Sequence, residues 1–301
     1  MVQTLASPIN PADINTVQGV YAVKPPLPAV GGSEAVGKVI SLGPDVKTLS
    51  VGDTVLTRQT GLGTWCTHLV SAAKAFFKLP LGVPLESAAT LSVNPCTAYR
   101  MLVDFVKLSP GDVVIQTGSN SAVGQAVIQV AKAMGVQTIN LVRNRPDFDQ
   151  LKSKLTDLGA DWVVREEDLK TLKLPKAKLG FNCVAGKSGI AMMKNMEHGS
   201  NLVIYGGMSR QPLSVPVSFL IFNDIRVRGF WMTGWKAKKD DPKVADDGDF
   251  AKMMDYLCKL AVEGKLKAPS HRFISLDEFK EGMNAAMPAG GMGGEKIIFK
   301  F

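Results

Sequence analysis

VVIQTGSNSAVGQAVIQV, residues 113–130, decides the fold. An apolar run from Val113 to Ile115 leads into a Gly/Ser/Asn turn. A helical pattern follows, with Gly124 in its first turn. Such a strand, turn and helix aim backbone N–H groups and the positive helix end at an anion. The turn is not a full G-x-G-x-x-G. Only Gly118 and Gly124 are glycines, with Ala122 between them, so an ordinary tight βα turn is the alternative reading.

The next strand sharpens the choice. TINLV (138–142) ends in Arg143-Asn144-Arg145. In dinucleotide folds the end of the second strand meets the adenosine ribose, where an acid binds the 2′-hydroxyl of NAD. No acid stands there in the sequence, and two guanidiniums suit a phosphate through their planar fork of donors. The expected cofactor is NADPH rather than NADH; a solvated basic loop is the alternative.

The same alternation extends outward. SAVGQAVIQVAKAMG (121–135) and PDFDQLKSKLTDLG (146–159) read as helices. DWVV (161–164), LGFNCV (179–184), NLVIYGG (201–207) and IRVRGFWM (225–232) read as strands. Continuous apolar strands alternating with helices predict a parallel sheet covered on both faces. Right-handed crossovers then make the fold class α/β, a Rossmann-type doubly wound sheet over residues 95–232. Residues 1–94 are rich in Pro, Gly and short β-like runs (EAVGKVISLG, DTVLTRQ, TWCTHLVS) and predict a β-rich domain. Residues 233–301 are assigned to that same domain. Within them KAKKDDPKVADDGD (236–249) reads as a charged, mobile loop. DFAKMMDYLCKLAVEGKL (249–266) reads as an amphipathic helix with Met253, Met254, Leu257, Leu260 and Ala261 on one face. KIIFKF reads as a closing strand.

The chain has 301 residues, 46% of them hydrophobic, which suffices for two buried cores. No apolar run is long enough to suggest a membrane span, and MVQTLASPIN has the layout of neither a secretory signal nor a transit peptide. Cys66, Cys96, Cys183 and Cys258 are widely spaced, so the reading is free thiols in a reducing compartment. The net charge of +8 favours acidic partners. No basic run interleaves with aromatics, so nucleic acid is not an expected partner.

ASPINPADINTVQGVY, residues 6–21, reads as an irregular loop with too little periodicity for a helix or a buried strand. It ends in Tyr21, one of four tyrosines. A phenol is protonated at neutral pH and able to donate. On residues alone, a proton donor and a tyrosine packed at a domain edge are equal readings.

SPINPADIN, GLGTW, AATLSVNPCTAYRML, NSAVGQAVIQVAK, NCV followed by GKS, YGGM and RGFWM occur in that order. Together they resemble the zinc-free medium-chain dehydrogenase/reductases, and among these the mitochondrial trans-2-enoyl-thioester reductases, over the whole chain. INPAD alone is shared with quinone reductases. The resemblance implies a GroES-like catalytic domain beside the Rossmann-type domain, with NADPH as cofactor. Tyr21 matches the family's proton donor, and Asn94 a cofactor contact. Asn120, Ser121, Ala122 and Val123 match the pyrophosphate loop, and Arg143, Asn144 and Arg145 the 2′-phosphate site. Tyr205, Gly206, Gly207 and Met208, with Phe230, Trp231 and Met232, match segments around nicotinamide and substrate. Lys296 matches a further cofactor contact.

The resemblance further implies an enoyl-CoA or enoyl-acyl carrier protein as substrate, a homodimer with IRVRGFWM as its seam, and mitochondrial fatty-acid synthesis as the setting. The chain resembles a short isoform or an incomplete gene model, and without a visible leader it is cytoplasmic if it is a genuine short form. Metal is not expected. The zinc members' Gly-His-Glu triplet is here Gly32-Ser33-Glu34, and Asn10 falls near their first Cys. Cys66 and His68 lack a third ligand, and a catalytic zinc needs three. His198 and His271 lie in unrelated contexts. Glu34 is expected to brace the floor of the site rather than transfer protons. An NADPH:quinone reductase and a catalytically impaired NADPH-binding regulatory protein are the competing readings.

Overall fold

A computed structural model of the chain describes residues 1–241, 248–287 and 295–301. Its strands in chain order are β1 (Val2–Pro8), β2 (Val36–Val39), β3 (Thr54–Thr57), β4 (His68–Leu69), β5 (Phe76–Lys78), β6 (Val113–Gln116), β7 (Gln137–Val142), β8 (Trp162–Arg165), β9 (Ala177–Asn182), β10 (Met196–Ile204), β11 (Arg226–Gly229), β12 (His271–Ile274) and β13 (Lys296–Lys300). The α-helices are α1 (Pro11–Val17), α2 (Leu85–Thr90), α3 (Asn94–Asp104), α4 (Ala122–Ala133), α5 (Phe148–Asp157), α6 (Ser188–Met193), α7 (Val217–Ile221), α8 (Met232–Asp240), α9 (Asp249–Val262) and α10 (Phe279–Ala286). Among the described residues no helix is long and apolar enough to cross a membrane.

The chain divides into two compact units, Met1–Cys96 with Thr233–Phe301, and Thr97–Met232. The second unit is a parallel six-stranded sheet in the order β11-β10-β9-β6-β7-β8. The order reverses between β6 and β9. This is the kind of switch point at whose carboxyl edge open α/β sheets bind ligands. Val113, Ile115, Ile139, Leu141 and Leu202 fill one face, and Ile128, Val142, Phe148 and Leu155 pack together between sheet and helices. These are strand runs covered on both sides, which is why they read as continuously apolar rather than alternating.

The first unit is a mixed sheet in the order β12-β13-β1-β2-β3-β5, with β4 added beside β1. The strand from the end of the chain, β13, runs antiparallel to β1, with Ala6 opposite Lys300. Ile9, Ile14, Ile274, Ile297 and Phe299 form one of its cores. Helix α9 buries Met253, Met254, Leu257, Leu260 and Ala261, the face its periodicity predicts, and ends before Gly264 at φ +69°.

Two expectations are corrected. Residues 6–21 are not one irregular loop: β1 is a largely buried strand and Pro11–Val17 is a helix. The signal lay in the start of the helix rather than in its periodicity. Asn10 caps it, Pro11 occupies its first turn, and Asp13 accepts the Asn10 N–H at Oδ2 over 2.8 Å. Nor is 236–249 a loop throughout. Lys236–Asp240 continues α8, where Lys236 is buried and Asp240 pairs with Arg58 at 2.7 Å. Residues 242–247 of that expected loop lie outside the described residues.

Candidate active site

In the second unit the turn after β6 is fastened from below. Buried Gln116 donates through Nε2 to the Gly124 carbonyl (2.9 Å) and to Asn140 Oδ1 (2.8 Å). Ser119 Oγ donates to the Leu141 carbonyl at 3.1 Å. Gly118 takes φ +61°, a backbone state that suits glycine. Gly124 is demanded by contact: a Cβ there would lie 2.6 Å from Ser119 Cα and 2.7 Å from the Gly118 carbonyl oxygen. Ser121 caps α4, accepting the Gly124 N–H at 3.1 Å. Asn120, Ser121, Ala122 and Val123 are all partly exposed on this rigid turn. The N–H groups of Ala122 and Val123 belong to a helical first turn, which has no intrahelical acceptors for them. The arrangement fits a pyrophosphate.

Arg143 and Asn144 are exposed one step past β7, and Arg145 is half-buried. The two guanidiniums differ in employment. Arg145 grips Asp147 through Nε (2.5 Å) and Nη2 (3.0 Å), and this pairing holds the Asp147 carboxyl below the usual range. Arg143 faces Glu166, the residue after β8. Burial pushes the Glu166 carboxyl up, and Arg143 pulls it back. The acid missing at the end of the second strand is thus supplied by its neighbour. Sequence reading missed Glu166 because only strand register brings it there.

The segments expected near nicotinamide lie against the loop after β9. Asn182 Oδ1 accepts the N–H groups of Val184 and Ala185, each at 2.8 Å, with Ala185 at φ +64°. Thr117, just past β6, takes its N–H to the Phe181 carbonyl at 3.0 Å, so the turn and the β9 loop meet at the switch point. Tyr205 N–H donates to the Asn182 carbonyl and Met208 N–H to the Cys183 carbonyl. Gly206 packs on Cys183, where a Cβ would come within 3.1 Å of the carbonyl oxygen; Gly207 is exposed. The Tyr205 hydroxyl is sealed from solvent and faces Cys183 and Ser121. Phe230 stacks edge-on to Phe105, Trp231 is exposed and Met232 is buried.

In the first unit Tyr21 is half-buried just beyond α1. The N–H groups of Val20 and Tyr21 both donate to the Asn15 carbonyl, at 3.0 and 3.2 Å, tying the phenol's loop to the helix. The helix start is anchored in a buried polar cluster. Asn10 Nδ2 donates to Glu34 Oε2 at 3.0 Å. Glu34 Oε1 accepts from Val93 N–H (2.8 Å) and Ser92 Oγ (3.2 Å). Lys296 Nζ donates to Asn10 Oδ1 at 2.5 Å, and Asn94 Nδ2 approaches that oxygen at 3.4 Å. Two residues expected to touch cofactor, Asn94 and Lys296, therefore converge on Asn10. Burial pushes Glu34 up and Lys296 down, while their mutual attraction opposes both shifts. Through these bonds Glu34 ties Asn10 to the Ser92–Val93 segment. A Cβ on Gly31 would lie 2.5 Å from the Trp65 ring, and one on Gly32 2.4 Å from Thr64 Oγ1.

Known proteins resemble this chain over most of its length. Residues 122–247 match the zinc-binding dehydrogenase family, and residues 1–83 the alcohol dehydrogenase GroES-like domain. The mitochondrial enoyl-acyl-carrier-protein reductase of Rattus norvegicus is 48% identical over 293 residues, 95% of this chain and 77% of the relative. The solved complex of Etr1p with NADP and crotonyl-CoA superimposes with a TM-score of 0.89 at 30% identity, over 100% of this chain and 90% of that one. The mitochondrial 2-enoyl thioester reductase Etr1p/Etr2p heterodimer from Candida tropicalis gives 0.87 at 31% identity, over the same shares.

The zinc in the first family's description does not suit the donors present. Among the described residues no group of three His, Cys, Asp or Glu side chains could hold a metal ion. Cys66 donates its thiol to the Gly63 and His68 carbonyls, and His68 is exposed. The buried carboxylate Glu34 already faces two ammonium groups, Lys296 and Lys236, so a divalent cation there would meet like charge.

Proposed function

The chain belongs to the enoyl-acyl-carrier-protein reductase family, and on that footing we propose that it reduces the C2=C3 double bond of trans-2-enoyl thioesters with NADPH. The observation that carries this reading is a phosphate-ready turn and Arg143 at the carboxyl edge of one parallel sheet. Asn120 to Val123 hold the pyrophosphate, and Arg143 the 2′-phosphate. The bound cofactor's contribution is a hydride for Cβ of the thioester. Negative charge on the substrate then moves through Cα to the thioester oxygen, and Cα needs a proton. Tyr21 gives it: a phenol on a loop tied to a capped helix is a positioned general acid. Half-exposed, it regains its proton from solvent. Glu34, Asn10 and Lys296 hold the helix that carries it.

The carrier is CoA or an acyl carrier protein, and the setting is mitochondrial fatty-acid synthesis; a mitochondrial enoyl-acyl-carrier-protein reductase among the relatives and the Etr1p complex with crotonyl-CoA support this. Acyl carrier proteins are acidic, and the +8 charge of this chain attracts them through a field that salt screens. Assembly is a dimer along β11. That strand is the outer edge of its sheet, and Val217, Ile221 and Phe222 beside it in sequence are exposed. Phe222→Asp should then shift the sedimentation profile from dimer to monomer. The deciding assay follows NADPH oxidation with crotonyl-CoA and with a quinone. Turnover of the thioester supports the reading. Turnover of the quinone alone, or NADPH binding with no turnover of either, overturns it.

A further inference from the structure

The register of β7 and β8 places Arg143 and Glu166 side by side. Val142 stands opposite Arg165, and the Glu166 N–H donates to the Val142 carbonyl at 3.0 Å. Both residues therefore leave the sheet together at its carboxyl edge, where open α/β sheets bind nucleotides. Glu166 is an expensive residue to keep there. Its Oε1 is sealed from solvent and has no hydrogen-bond partner in the protein. A buried acceptor left unmade costs on the order of 1–3 kcal/mol or more. No packing need explains an acid, since an apolar side chain would fill the same space without that cost.

We propose that Glu166 is a specificity-determining residue that moderates the preference for a 2′-phosphate over a 2′-hydroxyl on the cofactor's adenosine ribose. The inference rests on the NADPH reading above. The carboxylate offsets part of the Arg143 charge, so a phosphate meets a weaker positive field than the guanidinium alone would give. A ribose hydroxyl carries no charge and is indifferent to that weakening. The residue narrows the gap between the two dinucleotides by weakening the phosphate-bearing one. An acid just past β8 thus does the reverse of what Arg143 does.

The test is calorimetric binding of two fragments that lack nicotinamide, 2′,5′-ADP and 5′-AMP, to the full chain. Glu166→Gln removes the charge at constant shape. It should tighten 2′,5′-ADP about fivefold, the effect of one partly screened charge, and leave 5′-AMP nearly unchanged. Glu166→Ala should tighten 2′,5′-ADP as well, because charge rather than shape is at issue. Unchanged or weaker 2′,5′-ADP binding in both variants overturns the proposal alone, provided the unaltered protein prefers 2′,5′-ADP. If the unaltered protein binds the two fragments equally, the reading of Arg143 fails first and takes the proposal with it. Failure of both variants to fold would make Glu166 a structural group and also overturn it.

Discussion

Replacing Lys296 by methionine removes one ammonium from a buried polar cluster. Glu34 is fully buried, and Lys296 is the foremost positive charge facing it. The lysine also makes the 2.5 Å bond to Asn10 Oδ1. Deleting one partner of a buried ion pair costs about 3–5 kcal/mol, because the other charge stays buried and uncompensated. Here the remaining partners soften the loss. Glu34 keeps three hydrogen bonds, from Asn10, Ser92 and Val93, and still faces Lys236. Methionine keeps the apolar stem. The expected loss is therefore at the lower end, about 3 kcal/mol. Glu34→Gln added to Lys296→Met should recover at least ~1 kcal/mol, since the two residues are coupled. Urea denaturation gives the free energies, and amide exchange at Val93, whose N–H bonds Glu34, locates the loosening in the first unit. A loss under ~1 kcal/mol for Lys296→Met, or strict additivity of the two changes, would refute the argument.

Three further outcomes are expected. Tyr21→Phe should lower turnover of crotonyl-CoA by about 10²–10⁴-fold while NADPH affinity stays within error; an unaltered rate removes Tyr21 from the proton step. Arg143→Ala should weaken NADPH by about 10–100-fold and NADH far less, measured by fluorescence titration; equal losses undo the 2′-phosphate assignment. The Lys178 ammonium holds the Asp112 carboxyl below its ordinary 3.8, so the pair's stabilisation is present above that pH and disappears as pH falls through the lowered folded value. Lys178→Met should therefore be less stable than the unaltered chain at pH 7 and indistinguishable from it in strong acid. A stability difference that persists there counts against the pair.

How far the sequence could be read depended on the range of the forces involved. The β6–turn–α4 unit was legible because its signal is local: apolar strand, turn residues and helix follow one another within eighteen positions, Val113 to Val130. The α9 face was legible for the same reason. Helix α1 was not, because seven residues are too few for periodicity, and its start rests on a cap instead. Arg143 and Arg145 looked alike in the sequence. The fold gave one to Asp147, two residues away, and set the other facing Glu166 on the next strand. Asn94 and Lys296 belong to a cluster assembled from Asn10, Glu34, Ser92 and Val93. No spacing rule links positions that far apart.

The pairing of β13 with β1 sets a timetable for synthesis. The strand that must lie beside Ala6 to Pro8 is made only after the whole of Thr97–Met232. At usual elongation rates β1 therefore waits on the order of tens of seconds for its neighbour. The parallel sheet, contained within Thr97–Met232, faces no such delay and can complete itself while translation continues. A ribosome that stalls before Lys296 would release a molecule with a finished parallel sheet. Its other half would expose a naked strand edge and leave an acid without its counter-ion. Quality control would recognise such a fragment by that edge.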